Sequence, residues 1–260
     1  MQLHFFKYQG TGNDFIIIDN RNKQYQLTTE QINFLCNRRL GIGADGLMFL
    51  EEQGGYDFKM VYYNADGNEG TMCGNGGRCL VKFAKDRGIV KPNYTFIAID
   101  GEHKANFDDK GWIHLKMQDV PSYTEKKYGD IEINTGSPHY IRNVNDVLSV
   151  DVFKEGQAIR YNETYQAKGI NVNFVQRLDE NTIAVRTYER GVEDETLSCG
   201  TGVTASALVF AHNERGFNHV DVKTKGGLLA VEFNKTADTA FENIWLCGPA
   251  TFVFEGKIEI

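Results

Sequence analysis

Residues 71–79 read TMCGNGGRC, and residues 195–202 read ETLSCGTG. Laid over each other at an offset of 126 residues, Cys73 falls on Cys199, Gly74 on Gly200, Gly76 on Gly202 and Glu69 on Glu195. The same offset, without a gap, lays GTGNDF (10–15) over GSPHYI (136–141), GIGAD (41–45) over AKGIN (167–171), and Asn64 over Arg190. Four loops sharing one offset point to a duplicated unit, because chance matching of glycines would not keep one register. The chain is therefore expected to form two pseudo-symmetric domains that face each other, each carrying one Cys-Gly-x-Gly loop.

The flanking sequence says what each domain is made of. FKMVYYN (58–64) and TIAVRTYE (182–189) are rich in β-branched and aromatic residues and partly alternate, as strands do. RCLVKFAKDRG and VTASALVFAHNERG follow the two cysteines and are apolar enough for buried helices, each expected to end near its glycine. A further helix is expected over 29–38, entered through TTEQ. YTFIAID, WIHLKM, HVDVKTK, GLLAVEF, IWLCG and ATFVF read as more strands. The fold class is thus α/β of the α+β kind, each half a curled β-sheet around one central helix with its cysteine at the N-terminal end.

Composition narrows the function. The 260 residues are 41% hydrophobic and 24% charged, the mix of a globular protein with a substantial core. A net charge of -7 argues against a nucleic-acid partner, since phosphate binding shows as a basic surplus. No apolar run approaches the roughly 20 residues of a membrane span, and MQLHFFKYQGTGNDF lacks a signal-peptide pattern. A cytoplasmic location is the default expectation. Cys36, Cys73, Cys79, Cys199 and Cys247 are odd in number and widely spread, which suits free thiols better than a disulfide framework. Cys73 and Cys79 have no CxxC or HxxxH partner nearby, so no metal site is expected.

A cysteine at a helix start meets the N–H groups of the first turn and the positive end of the dipole, which stabilise its thiolate. Gly74, Gly76, Gly200 and Gly202 let a ligand approach the backbone, and the same N–H groups can hold a carboxylate. Two such loops across a cleft would place one sulfur on each side of a bound α-carbon, the arrangement for stereoinversion by two bases. Neither a phosphate-binding glycine loop nor a pyridoxal-type lysine motif is evident, so no cofactor is expected.

The stretches GTGNDF, GIGADG, YNADGNEGTMCGNGGRC, GSPH, GINVNF, YERGVEDETLSCGTG and KGGLLAVEF run in order along nearly the whole chain. Together they closely resemble the diaminopimelate epimerase family, pyridoxal-independent isomerases of lysine and cell-wall precursor synthesis. The resemblance implies an N-terminal domain of residues 1–118 completed by a returning strand, 251–260, and a second domain of residues 119–250. It also implies conversion of LL-2,6-diaminopimelate to the meso form, with Cys73 and Cys199 as the acid/base pair. Gly74, Asn75, Gly200 and Thr201 would hold the substrate at its reacting carbon. Asn13, Asn64, Asn171, Glu189 and Arg190 would grip it, several at the distal end, while His139 and Glu189 would tune the thiols. A homodimer is common in the family. Ser137 stands where the family commonly has Asn, and Gly46 where some members have Gln, both at substrate-contact positions.

Blander readings remain for several residues. Cys36, Cys79 and Cys247 read as core filler, and Asn13 and Asn64 lie in stretches that also read as turns. Arg190 could pair with Glu189 or Glu193, although its register with Asn64 favours a carboxylate clamp. Among functions, a proline or hydroxyproline racemase is the nearest rival and would not need YERG and the extra asparagines. A phenazine-type isomerase would not need two symmetric thiols. Outside this chemistry stand a dithiol redox sensor, which would have no use for Asn64, Asn171 and Arg190, and a catalytically inactive small-molecule binder.

Overall fold

A computed structural model describes all residues from Met1 to Ile260. The chain divides into two compact units, Met1–Leu115 with Gly248–Ile260, and Lys116–Cys247. No helix is long and apolar enough to cross a membrane.

In the first unit the strands are β1 (Gln2–Gly10), β2 (Asn13–Asp19), β3 (Gly46–Glu51), β4 (Phe58–Asn64), β5 (Asn93–Ala98), β6 (Gly101–Phe107) and β7 (Ile113–Lys116), with β17 (Thr251–Glu259) added from the far end of the chain. β17 pairs antiparallel with β1, and β1 with β2; β2 and β3 are parallel, β3 and β4 antiparallel, β4 and β5 parallel, and β5 through β7 antiparallel. The second unit uses β8 (Tyr123–Glu125), β9 (Ile131–Asn134), β10 (Pro138–Asn143), β11 (Asn171–Arg177), β12 (Thr182–Glu189), β14 (Gly216–Thr224), β15 (Gly227–Lys235) and β16 (Phe241–Gly248). From β8 to β16 the pairing senses repeat those of β17 to β7 step for step. A short extra strand, β13 (Asp194–Thr196), pairs with the end of β12. The duplication read from a few loops thus extends through the topology of both sheets.

Parallel neighbours require a crossover, and helices supply it. In the first unit α1 (Thr29–Cys36) joins β2 to β3 and α2 (Gly74–Asp86) joins β4 to β5; in the second, α3 (Val152–Arg160) and α4 (Gly200–Val209) stand in the same places. α1 opens on a capping box between Thr28 and Gln31. α2 packs on β1, β2, β3, β4 and β17, and α4 on β9, β10, β11, β12, β14 and β15, so each sheet curls around its central helix. Leu80, Val81 and Phe83 of α2, and Val203, Ala205 and Leu208 of α4, are buried almost completely. Burial of each larger side chain contributes about 1.5–3 kcal/mol.

Two details depart from the sequence reading. α3 is absent from it, although Asp151 caps the helix by accepting from the Lys154 N–H. Its Gly156 weakens the helix signal, and the structure shows its use: a Cβ there would lie 2.4 Å from Cβ of Tyr188. The second long helix also stops at Val209, well short of Gly216. The chain there is turned by Asn213, whose Nδ2 donates to the Phe217 carbonyl at 2.7 Å and whose N–H donates to Asn218 Oδ1 at 2.9 Å.

Candidate active site

Cys73 and Cys199 are the N-caps of the two central helices. Both have extended backbone (φ -92, ψ 129 and φ -111, ψ 112), and neither sulfur caps its own helix. The helical ladders begin with Gly77 N–H to Cys73 O and Val203 N–H to Cys199 O, at 2.7 and 2.8 Å. The N–H groups of residues 74–76 and 200–202 therefore lie ahead of those ladders, at the positive helix ends. All five cysteines are free thiols. Cys36, Cys79 and Cys247 are core residues, and burial pushes the thiols of Cys36 and Cys79 up to about 12. Only about one in 10⁴ of either is thiolate near pH 8.

In the first unit Asn13, at the start of β2, reaches the Cys73 loop. Its Oδ1 accepts from Cys73 Sγ at 3.6 Å and from Asn75 Nδ2 at 3.4 Å. The opposite end of the amide is fixed, since Asn13 Nδ2 donates to Asp45 Oδ2 at 2.6 Å. Asp45 also accepts from Arg38 at 2.8 Å, and Arg38 bridges on to Asp14, which pairs with the buried Lys7 at 2.7 Å. Burial alone would raise the Asp14 carboxyl, but hydrogen bonds from Arg38 and Lys7 outweigh it and hold the group at about 2. Asn75 is oriented by the fully buried Arg78, which donates to its Oδ1 at 3.0 Å and to the Thr11 hydroxyl at 3.4 Å. Asn64 ends β4 opposite Gly46 in register. Gly70 leaves room for it, because a Cβ there would lie 2.9 Å from Asn64 Nδ2.

The structure leaves no room for a side chain at Gly46. Any Cβ at that position would lie 2.6 Å from the Tyr62 ring and 2.7 Å from the Tyr63 carbonyl. The aromatic ring of Tyr62 takes the space a side chain would need.

In the second unit His139 occupies the repeat position of Asn13, and Thr201 that of Asn75. His139 Nε2 is 2.9 Å from Thr201 Oγ1, which in turn is 3.5 Å from Cys199 Sγ. His139 is fully buried; that burial, then the nearby Arg190 charge, pulls its pKa down to about 3, so the ring is neutral throughout the physiological range. Asn171, Arg190 and Ser137 form a second cluster. Asn171 accepts from the Arg190 N–H at 2.9 Å and donates to Ser137 Oγ at 2.9 Å, and the Arg190 guanidinium lies 3.5 Å from the same hydroxyl. Glu189, at the end of β12, accepts from Thr196 Oγ1 at 2.9 Å. Ser137 is thus bonded to two of the candidate binding residues.

The structure brings Asn13, Cys73 and Asn75 together in one unit, and His139, Cys199 and Thr201 in the other. It also shows residues the sequence reading passed over: Asp45, Arg78, Asn173 and Thr187. The signal for Arg78 was present as an arginine inside an apolar helix directly after GNGG. Asn173 carried none, being one Asn among several on a strand.

The family model described as diaminopimelate epimerase matches the chain over residues 5–121 and 131–253. A diaminopimelate epimerase from Flavobacterium psychrophilum is 50% identical over 259 residues, covering 98% of this chain and 100% of its own. One from Chlorobaculum tepidum is 43% identical over 96% of this chain and 99% of its own. Among solved structures, a PhzF-family phenazine biosynthesis protein of Bacillus anthracis has a TM-score of 0.78 at 14% identity, with both chains covered fully. A hydroxyproline epimerase from Agrobacterium vitis has a TM-score of 0.66 at 13% identity over 99% of this chain and 92% of that one. These two likenesses confirm the two-domain fold; the family rests on the sequence matches that span both units. The chain belongs to the diaminopimelate epimerase family.

Proposed function

We propose that this chain converts LL-2,6-diaminopimelate to meso-diaminopimelate without a cofactor, by proton transfer at one α-carbon between Cys73 and Cys199. The observation that carries the reading is the placement of these two cysteines at equivalent N-caps of the two central helices. Cys73 meets Asn13, which is bonded to Asn75, and Cys199 meets Thr201, which is bonded to His139, so the same two repeat positions serve each sulfur in opposite order.

In this mechanism the α-carboxylate lies against the helix-end N–H groups, and the two sulfurs stand on opposite faces of the α-carbon. One thiolate takes the α-proton, so that a C–H bond breaks and an S–H bond forms. The electron pair spreads into the carboxylate, where the aimed N–H dipoles stabilise it. Each such donor is worth roughly 2.7–4 kcal/mol by analogy with oxyanion holes. The opposite thiol then gives its proton to the other face. A turnover of about 10 per second requires a barrier near 16 kcal/mol. Asn13, Asn64 and Asn75 in one unit, and Asn171, Glu189 and Arg190 in the other, bind the polar groups of the substrate. Arg190 supplies the planar fork that suits a carboxylate. The reaction belongs to lysine biosynthesis in the cytoplasm.

The working form is a homodimer. β17 pairs along one side with β1 and exposes Phe252, Val253 and Phe254, about half of each, on a single strand. A second copy of the chain would cover such a surface. Sedimentation at micromolar concentration is expected to give twice the mass of one chain, and a single-chain mass would remove this part of the reading.

The test of the reaction is proton NMR in D₂O, with reductant and no added cofactor. LL-diaminopimelate is expected to lose its α-proton signal, and L-proline, L-hydroxyproline and L-lysine to keep theirs. Exchange with proline alone would keep the two-base chemistry and overturn the substrate. No exchange with any of them would overturn the reading.

A further inference from the structure

Equivalent sulfurs in the two units meet hydrogen bonds of opposite polarity. Beside Cys73 stands Asn13 Oδ1, an amide oxygen that can only accept, so Cys73 is the donor in that contact. Beside Cys199 stands the Thr201 hydroxyl, which can do either. Its direction follows from a chain of groups deeper in the second unit.

The chain starts at Thr187, whose hydroxyl donates to Asn173 Oδ1 at 2.9 Å. With Oδ1 there, Asn173 Nδ2 donates at 3.2 Å to the Tyr140 carbonyl and lies 3.1 Å from His139 Nδ1. A flipped amide would set its oxygen against the Tyr140 carbonyl oxygen, so the orientation is determined. An amide NH₂ only donates, which makes His139 Nδ1 the acceptor and leaves the ring proton on Nε2. His139 Nε2–H then donates to Thr201 Oγ1 at 2.9 Å. Thr201, with its oxygen occupied by that donor, is left with its hydroxyl proton pointing to Cys199 Sγ at 3.5 Å.

We propose that Asn173 is a positioning residue for the acid–base step: it fixes the tautomer of His139 and so turns Thr201 into a donor to Cys199, which makes Cys199 the resting thiolate and Cys73 the resting thiol. The proposal rests on the acid–base role of the two cysteines given above. Asn173, His139 and Thr187 are 0%, 0% and 3% exposed, so water does not compete for these bonds. Gly202 is part of the device, because a Cβ there would sit 2.4 Å from Asn173 Oδ1 and 3.3 Å from His139 Cε1. Arg190 acts on His139 by its charge, and Glu189, on the strand that carries Thr187, is bonded to Thr196. The substitutions below leave both in place.

The experiment uses the full-length reduced protein with ¹⁵N-labelled histidine. His139 is expected to carry its proton on Nε2 near neutral pH, with Nδ1 unprotonated; a proton on Nδ1 overturns the proposal, whatever any variant does. Asn173→Asp presents an acceptor to Nδ1, draws the proton there, and leaves Nε2 to accept from Thr201. Cys199 then loses its donor. In a Cys73→Ser background, the midpoint for alkylation of Cys199 by iodoacetamide is expected to rise by about one pH unit, which reads as a roughly tenfold slowing at a pH well below that midpoint. The buried Cys36 and Cys79 thiols do not contribute at that pH. Thr201→Val should slow alkylation by a similar factor, and adding Asn173→Asp to it should then change nothing. A further slowing in the Thr201→Val background would mean that the added carboxylate acts directly on the sulfur, and would overturn the relay. These readouts need no substrate, so a failed epimerase assay and a failed relay are separate results.

Discussion

Cys73→Ala and Cys199→Ala are each expected to cripple net inversion of LL-diaminopimelate, with kcat down by roughly 10²–10⁴-fold, the usual worth of a positioned acid or base. The informative part is what survives. A variant with one sulfur still has a base on one face of the α-carbon, so it can remove a proton there and return a deuteron to the same face. In D₂O, Cys73→Ala is therefore expected to exchange the α-proton of the one stereoisomer that presents it to Cys199, with retention, and to leave the other isomer untouched. Cys199→Ala should show the opposite preference. Chiral chromatography alongside NMR separates exchange from inversion. Inversion at an unimpaired rate by either variant would end the two-base reading, because no second donor would then be needed.

Gly202→Ala is expected to lose about 2 kcal/mol of stability, within the range for overpacking a filled interior, and Gly76→Ala to lose little. The two glycines are repeat equivalents in the first turns of equivalent helices, and alanine is the better helix former by about 1 kcal/mol at either place. Their surroundings differ. A Cβ at Gly202 would meet the buried Asn173 amide at 2.4 Å, while one at Gly76 would meet Met48 Sδ at 3.3 Å and the Phe15 ring at 3.4 Å. A methionine can yield by a few tenths of an ångström; an amide held on three sides cannot. For a chain of this size the Gly202→Ala penalty corresponds to a fall in Tm of about 4–8 °C, measurable by differential scanning calorimetry. Equal melting temperatures for the two variants would show that the Asn173 packing is looser than the geometry implies.

The sequence made the repeat legible because both units conserve features that only a few residue types provide: a thiol at a helix start and glycines beside it. Strands such as 58–64 and 182–189 were equally plain, since half-buried strands alternate. α3 was obscured by Gly156, which serves a close approach to Tyr188 that no local pattern encodes. The extent of α4 was overread because its apolar run carries on into a turn held by local side-chain-to-backbone bonds of Asn213 and Asn218, which an apolar pattern does not report. At the site, the residues touching or flanking the sulfurs could be named in advance. Arg78 carried a signal that went unread, whereas Asp45 and Asn173 carried none, because each acts on a neighbour's orientation, and orientation is a property of packed side chains.

The strand pairing also sets an order of events in synthesis. The second unit is one continuous stretch, whereas the sheet of the first is closed only when β17 returns to pair with β1, in register from Gln2 with Glu259 to Gln9 with Thr251. A chain emerging from a ribosome can thus finish the later half of its sequence first. The first unit waits with its β1 edge uncovered until β17 has been made, so a stop codon placed shortly before residue 251 would spoil a portion translated before the whole of the second unit.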